Sequence, residues 1–313
     1  MTNLFIIGNG FDLAHGMKTK YSDFRKFLIH NYLDDNYNPY SFCEVPQRTL
    51  MPDGDEQYNK NDVVKSILKI LDDTEGVNWN KIEYSLGILE YGHFLDDYGD
   101  YDPDDDNYIR NMYYKNQDLS KELCGALRQI KQYFHEWVDT ININKIPIKS
   151  FQKIIHSKDD LFITFNYTKT LENLYNIQNV CHIHGTAEDE IYFGHGNVES
   201  KLEKYENYWF GAETTLERLD AELRKNTIEA YNNHKDFFNK LYIIGNKTPL
   251  NIYSYGFSFS EVDEYYLIKI FENLNTNNMC FYINNYDDEK TRKKFANTLR
   301  KCGFKGKIDI FFK

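Results

Sequence analysis

Residues 4–16, LFIIGNGFDLAHG, set an apolar run of four directly before Gly8-Asn9-Gly10 and then place Asp12 and His15 where a helix would begin. A short apolar run that enters a glycine turn and leaves as a helix is the opening of a doubly wound α/β fold. In such folds the turn lies at the carboxyl edge of the sheet, where ligands bind and helix amides favour phosphate. The turn lacks the third glycine of G-x-G-x-x-G, so the residues alone leave two readings open: a nucleotide-binding turn, or a strand turning a corner.

The rest of the chain follows the same rhythm. Apolar, β-branched or aromatic runs at 4–7, 161–165, 180–183, 191–193, 252–255, 280–283 and 308–312 read as strands. Helical spacing between several of them, as in Leu267, Ile270, Phe271 and Leu274, gives the alternation of a parallel sheet. The predicted fold is a Rossmann-like α/β domain over residues 1–313, its sheet doubly wound and mostly parallel. A helical insertion of about 30–155 and a second helical segment of about 213–243 interrupt it.

Composition narrows the function. A net charge of −11 disfavours a long nucleic acid as partner, because such binding rests on many Lys and Arg contacts to phosphate. Five scattered cysteines without a C-x-x-C pair indicate neither a disulfide framework nor a zinc knuckle. No basic leader or membrane-length apolar run is present, which predicts a cytoplasmic protein without a membrane partner. The acidic stretch 96–108 fails as a calcium loop: aligned from Asp100, it has Asp105 where glycine is required and Asn111 where glutamate is required. It reads as a solvated loop.

Two further junctions carry candidate chemistry. LFITFNYTKTLENLY (161–175) and NVCHIHG (179–185) are two strands joined by a short crossover, which puts Asn166 and His184 at neighbouring strand ends on one edge. Plain structural roles exist for both: a helix N-cap for Asn166 and a hydrogen-bonded strand-end histidine for His184. In NIYSYGFSFSEVDEYYL, Ser260 and Asp263 fit an S-x-x-D capping pattern, whereas the turn Gly256-Phe257-Ser258 has no capping explanation. Glu83 interrupts an apolar helical stripe beside Ile82, either as a pocket carboxylate or as a partly exposed helix residue. Asp12 suits a sugar hydroxyl or the helix N-terminus, and His15 suits a structural contact. His182 and His184, two apart on a strand, together with His195, are the imidazoles of a rival metal-hydrolase reading.

The ordered motifs IIGNGFDLAHG, WNKIEYSLG, FITFNYT, HIHG, FGHGN and YSYGFSFSEVDEYYL resemble the bacterial abortive-infection AbiH family over nearly the whole chain. More distantly, the glycine turn, the asparagine strand end, the H-G and the late G-x-S turn resemble sirtuin-like NAD domains of anti-phage proteins. That resemblance implies a sirtuin-like sheet and NAD, or a related nucleotide, as substrate or ligand, with no further cofactor. It implies Asn166 and His184 as catalytic residues, one orienting water and ribose, the other acting as base. Gly8, Asn9, Gly10, Phe11, Gly256, Phe257 and Ser258 become binding residues, and the placement of Asp12 and Glu83 in the sequence adds those two as candidates. The expected activity is hydrolysis of NAD to nicotinamide and an ADP-ribose product in anti-phage defence, with a phage-derived trigger and a homo-oligomer or protein partner. A non-catalytic nucleotide sensor is the alternative.

Overall fold

The computed structural model describes residues 2–34, 37–96, 107–155 and 159–311. The chain gathers into two compact units, one of Met1–Lys20, Val138–Tyr192 and Asn226–Lys313, the other of Tyr21–Trp137 and Phe193–Lys225. Most of the acidic stretch 96–108 lies outside the described residues.

The first unit holds a six-stranded sheet of β1 Asn3–Ile7, β2 Leu161–Thr164, β3 Val180–His182, β4 Asn251–Tyr255, β5 Cys280–Asn284 and β6 Lys307–Phe311. The order is β3-β2-β1-β4-β5-β6, and each pairing in it is parallel. This is a mixed α/β fold with the strand order of doubly wound nucleotide-binding sheets, in which the order reverses between β1 and β4.

Parallel strands covered on both faces need apolar side chains at every position, which is why the run 4–7 shows no alternation. Leu4 and Ile6 enter one core with Leu161, Ile163, Ile252 and Phe281, closed by helices Thr227–Asn233, Lys235–Lys247, Glu264–Glu272 and Glu289–Lys301. Phe5 and Ile7 point the other way, into a core with Phe11, Phe151, Leu171 and Tyr255. On that second face Phe162, Phe5, Tyr253 and Tyr282 form a continuous ring stack across four strands, with successive centroids 4.8, 5.3 and 4.7 Å apart. The register forces this, because Phe5 pairs with both Phe162 and Tyr253, and Tyr253 pairs with Tyr282.

The second unit is mainly helical, with Tyr21–Tyr32, Lys60–Glu75 and Tyr108–Leu127 as its longest elements. Its aromatic core contains Phe24, Trp79, Phe134 and Trp137, and Phe193 stacks on Phe134 at 3.9 Å. Arg25 grips both oxygens of Asp72, and one of these also accepts from the Trp79 indole at 2.8 Å.

Three local expectations change. The helical block contains a short antiparallel pair, Arg48–Leu50 with Glu56–Tyr58. The segment read as helical over 213–243 is three helices, of which Glu213–Leu223 belongs to the second unit and Thr227–Asn233 and Lys235–Lys247 to the first. The run 191–193 is not a strand: between Gly185 and Gly194, both at positive φ, Tyr192 makes one return hydrogen bond to His184 O instead of a ladder.

Phe5→Ala removes a ring that is 1% exposed from the centre of the stack. Chemical denaturation should show a loss of about 3–5 kcal/mol, against about 0.5 kcal/mol or less for exposed Ile146→Ala. Equal losses would mean that the stack does not support the sheet.

Candidate functional site

At the reversal between β1 and β4 the two glycine turns pack backbone on backbone. Gly8 N–H donates to Tyr255 O at 3.0 Å and Gly10 N–H donates to Gly256 O at 2.9 Å. A Cβ on Gly8 would lie 2.6 Å from Gly256 O, and one on Gly10 would lie 2.7 Å from Gly256 Cα. Gly256 itself has φ 65°, a left-handed conformation. The glycines are therefore required by the approach of two main chains, and the Gly8 and Gly10 amides are spent on carbonyls rather than presented to a phosphate. Phe11 and Phe257, expected beside a ligand, are core rings, 0% and 5% exposed. Ser258, by contrast, is exposed.

Asp12 extends from helix Asn9–Ala14 into a buried polar cluster at the end of β2. Its carboxylate accepts from Thr168 Oγ1 at 2.5 Å and Thr170 Oγ1 at 2.7 Å, and the Asn166 side chain lies near it. Burial pushes the Asp12 carboxyl up to about 6, while these polar neighbours and the nearby His182 pull it down. Asn166 is 4% exposed, and its Oδ1 has no hydrogen-bond partner. Nor does Asn166 cap a helix, because helix Thr170–Tyr175 has Lys169 at that position. Asn9 closes the near side, donating from its side chain to Thr19 O at 2.8 Å; the buried Thr19 hydroxyl is also unpartnered.

His184 is 3% exposed and held from both ends. Nδ1 lies 3.1 Å from Phe165 O, an acceptor only, so that nitrogen carries the hydrogen. Nε2 lies 3.1 Å from Asp263 Oδ1, and Ser260 Oγ donates to Asp263 Oδ2 at 2.8 Å. Ser260 and Asp263 thus depart from the capping pattern: the serine hydroxyl binds the aspartate side chain, and that side chain reaches the histidine. Asp263 is the residue that sequence reasoning missed. Its S-x-x-D spacing carries the signal of a cap, and only the fold brings it to His184. His15 is structural, donating from Nδ1 to Phe11 O at 2.7 Å with Tyr175 Oη at 2.7 Å on Nε2.

The remaining candidates lie in the second unit. Glu83 Oε1 is 2.7 Å from Nζ of Lys225, whose side chain is 0% exposed, so its charge is already matched. His195 accepts from Asn197 N–H on Nδ1 at 3.1 Å and donates from Nε2 to Asp220 O at 2.9 Å, which leaves no lone pair for a metal. Lys201 and Arg224 both reach the Asp220 carboxylate. A Cβ on Gly87 would sit 3.1 Å from the His195 ring, so the WNKIEYSLG and FGHGN motifs meet by packing. His182 pairs through Nε2 with Glu172 at 2.7 Å. Among the described residues no three His, Cys, Asp or Glu side chains are grouped to hold a metal ion.

Two outcomes test this geometry. Gly10→Ala should prevent normal folding, because its Cβ meets main chain; Gly16→Ala, at φ 72° with nothing within 4 Å, should cost only backbone strain, about 1–2 kcal/mol. A Gly10→Ala protein with an unchanged melt would refute the packing account. Asp12 has a folded pKa of about 6 against 3.8 as reference, so the fold holds its proton more tightly and loses stability as pH rises from about 4 to about 6. The whole effect is about 3 kcal/mol. Melts of Asp12→Asn against pH should be flatter across that window, and parallel curves would exclude the shift.

No helix of the described residues is long and apolar enough to cross a membrane. No curated protein and no solved structure matches the chain. Residues 4–285 match the model of the family described as Bacteriophage abortive infection AbiH, and the chain belongs to that family.

Proposed function

We propose that this abortive-infection protein hydrolyses NAD to nicotinamide and an ADP-ribose product in the cytoplasm, through a sirtuin-like site at the carboxyl edge of the sheet. The observation that carries the reading is Asn166 Oδ1, a buried acceptor without a donor. Buried polar atoms are normally satisfied, and a ribose hydroxyl or a reacting water supplies the donor this one lacks. Position supports the same reading, since ligands of doubly wound sheets bind outside the carboxyl ends of strands near the reversal of order.

The chemistry asks little of the protein. Nicotinamide leaves as a neutral pyridine, so its bond to ribose breaks through an oxocarbenium-like state without an acid to protonate the leaving group. Placement of water and sugar is the main requirement, and Asn166 meets it. His184 serves as a base only after its ring gives up Phe165 O or Asp263. That double hold also favours a second reading, in which the site binds a nucleotide and signals without turnover. A phage-derived trigger and self-association complete both readings.

The test is NAD and nicotinamide quantification after incubation of purified protein with NAD, alone and with lysate of phage-infected cells. Turnover should appear, and Asn166→Ala should reduce kcat about 100-fold in protein whose melt shows that it still folds. Binding without turnover would establish the sensor.

A further inference from the structure

We infer that Asp12, and not His184, is the general base of this site: its carboxylate takes the proton of a water whose other hydrogen is held by Asn166 Oδ1. The inference rests on the hydrolysis proposed above and assigns the proton transfer within it.

Three observations carry it. First, His184 has no nitrogen to offer, with Nδ1 committed to Phe165 O and Nε2 facing Asp263. Second, Asp12 keeps capacity: a carboxylate has about four acceptor sites, and two hydroxyl donors reach this one, from Thr168 and Thr170. Third, the Asn166 side chain, which lies near Asp12, carries the orphan Oδ1. A carboxylate with spare acceptor sites and a buried acceptor without a donor thus stand side by side. A water lodged there gives one hydrogen to Oδ1 and turns the other toward Asp12.

The step balances. The water oxygen bonds to the anomeric carbon of the nicotinamide ribose as its proton passes to Asp12. The carbon–nitrogen bond breaks with its electron pair remaining on the pyridine nitrogen. ADP-ribose and neutral nicotinamide leave, and Asp12 releases the proton to solvent. A buried carboxyl that titrates at about 6 is ionised at neutral pH yet basic enough to accept a proton in the transition state. The groups that tune it are the hydroxyls of Thr168 and Thr170, the Asn166 amide, and His182 on β3, which is paired with Glu172. The Met17 thioether, 3.7 Å from Thr170 Oγ1, borders the cluster on its remaining side.

The deciding experiment is a pH profile of kcat for NAD loss in the full chain, activated as above, with NAD binding and melts measured alongside. Wild type should lose activity below about pH 6. Asp12→Asn, which keeps one acceptor oxygen while the threonine hydroxyls remain within 2.9 Å of each other, should bind NAD, lose about 10²–10⁴ in kcat, and show no acid limb. Added formate should restore part of the activity to Asp12→Ala. Thr170→Val, which removes a donor to the carboxylate, should move the acid limb to higher pH, a shift that a purely structural threonine would not cause. Wild-type turnover with the limb intact in Asp12→Asn would overturn the assignment and leave hydrolysis standing. Loss of the limb in His184→Gln instead would return the base role to His184. No turnover by activated wild type would overturn hydrolysis, and the base with it.

Discussion

The contact between Gly8-Asn9-Gly10 and Gly256 governs the carboxyl edge of the sheet. Two main chains approach so closely that no Cβ fits at Gly8, Gly10 or Gly256, and two amide-to-carbonyl bonds lock the approach. Helix Asn9–Ala14 therefore leaves β1 in one direction only. Its first turn carries Phe11 into the second core, and the following residue, Asp12, reaches the end of β2. A glycine turn at this place in a doubly wound sheet ordinarily spends its amides on phosphate. Here they are spent on the neighbouring turn, and the polar groups at this edge are the side chains beyond the glycines.

Those side chains make two arrangements with opposite properties. A carboxylate brought into the interior without partners pays several kcal/mol in lost hydration. Hydrogen bonds to a charged group return about 1.5–3 kcal/mol each, and Asp12 accepts two, from Thr168 and Thr170. The two sides nearly cancel, which is why its carboxyl sits only moderately above the ordinary range and is poised near neutrality. His184 and Asp263 face each other at 3.1 Å, backed by Phe165 O and Ser260, so both nitrogens of the ring are turned toward protein oxygens. The pair is a latch between the end of β3 and the segment after β4.

What the sequence discloses follows from where each signal resides. Strand β1 is legible because burial on both faces writes an uninterrupted apolar run, and the strand order follows from alternation with helices. Asn166 and His184 are legible as edge residues because each stands just beyond an apolar run. The partnership of His184 with Asp263 is not, since 79 positions separate them and the aspartate's own spacing imitates a helix cap. The pairing of Glu83 with buried Lys225 is hidden for the same reason. Gly8 and Gly10 are conspicuous, but sequence cannot say whether a glycine makes room for a ligand or for another backbone. The run 191–193 misleads because three apolar residues are as compatible with a buried loop as with a strand.

The orphan acceptor on Asn166 is one of several buried polar atoms among the described residues that packing leaves without a hydrogen bond, and it lies near Asp12. A role in favouring the ionised form of Asp12 needs only the amide nitrogen. Leaving the oxygen buried without a donor costs about 1–3 kcal/mol, and a threonine or serine at 166 would supply a donor to Asp12 with no such exposed deficit. The hydroxyl of Thr19, on the segment tied to Asn9, is another buried polar atom of the same unit without a hydrogen bond. Under the proposed function a donor at the end of β2 would meet this deficit, and a sugar, each of whose hydroxyls can give a hydrogen, is the proposed source.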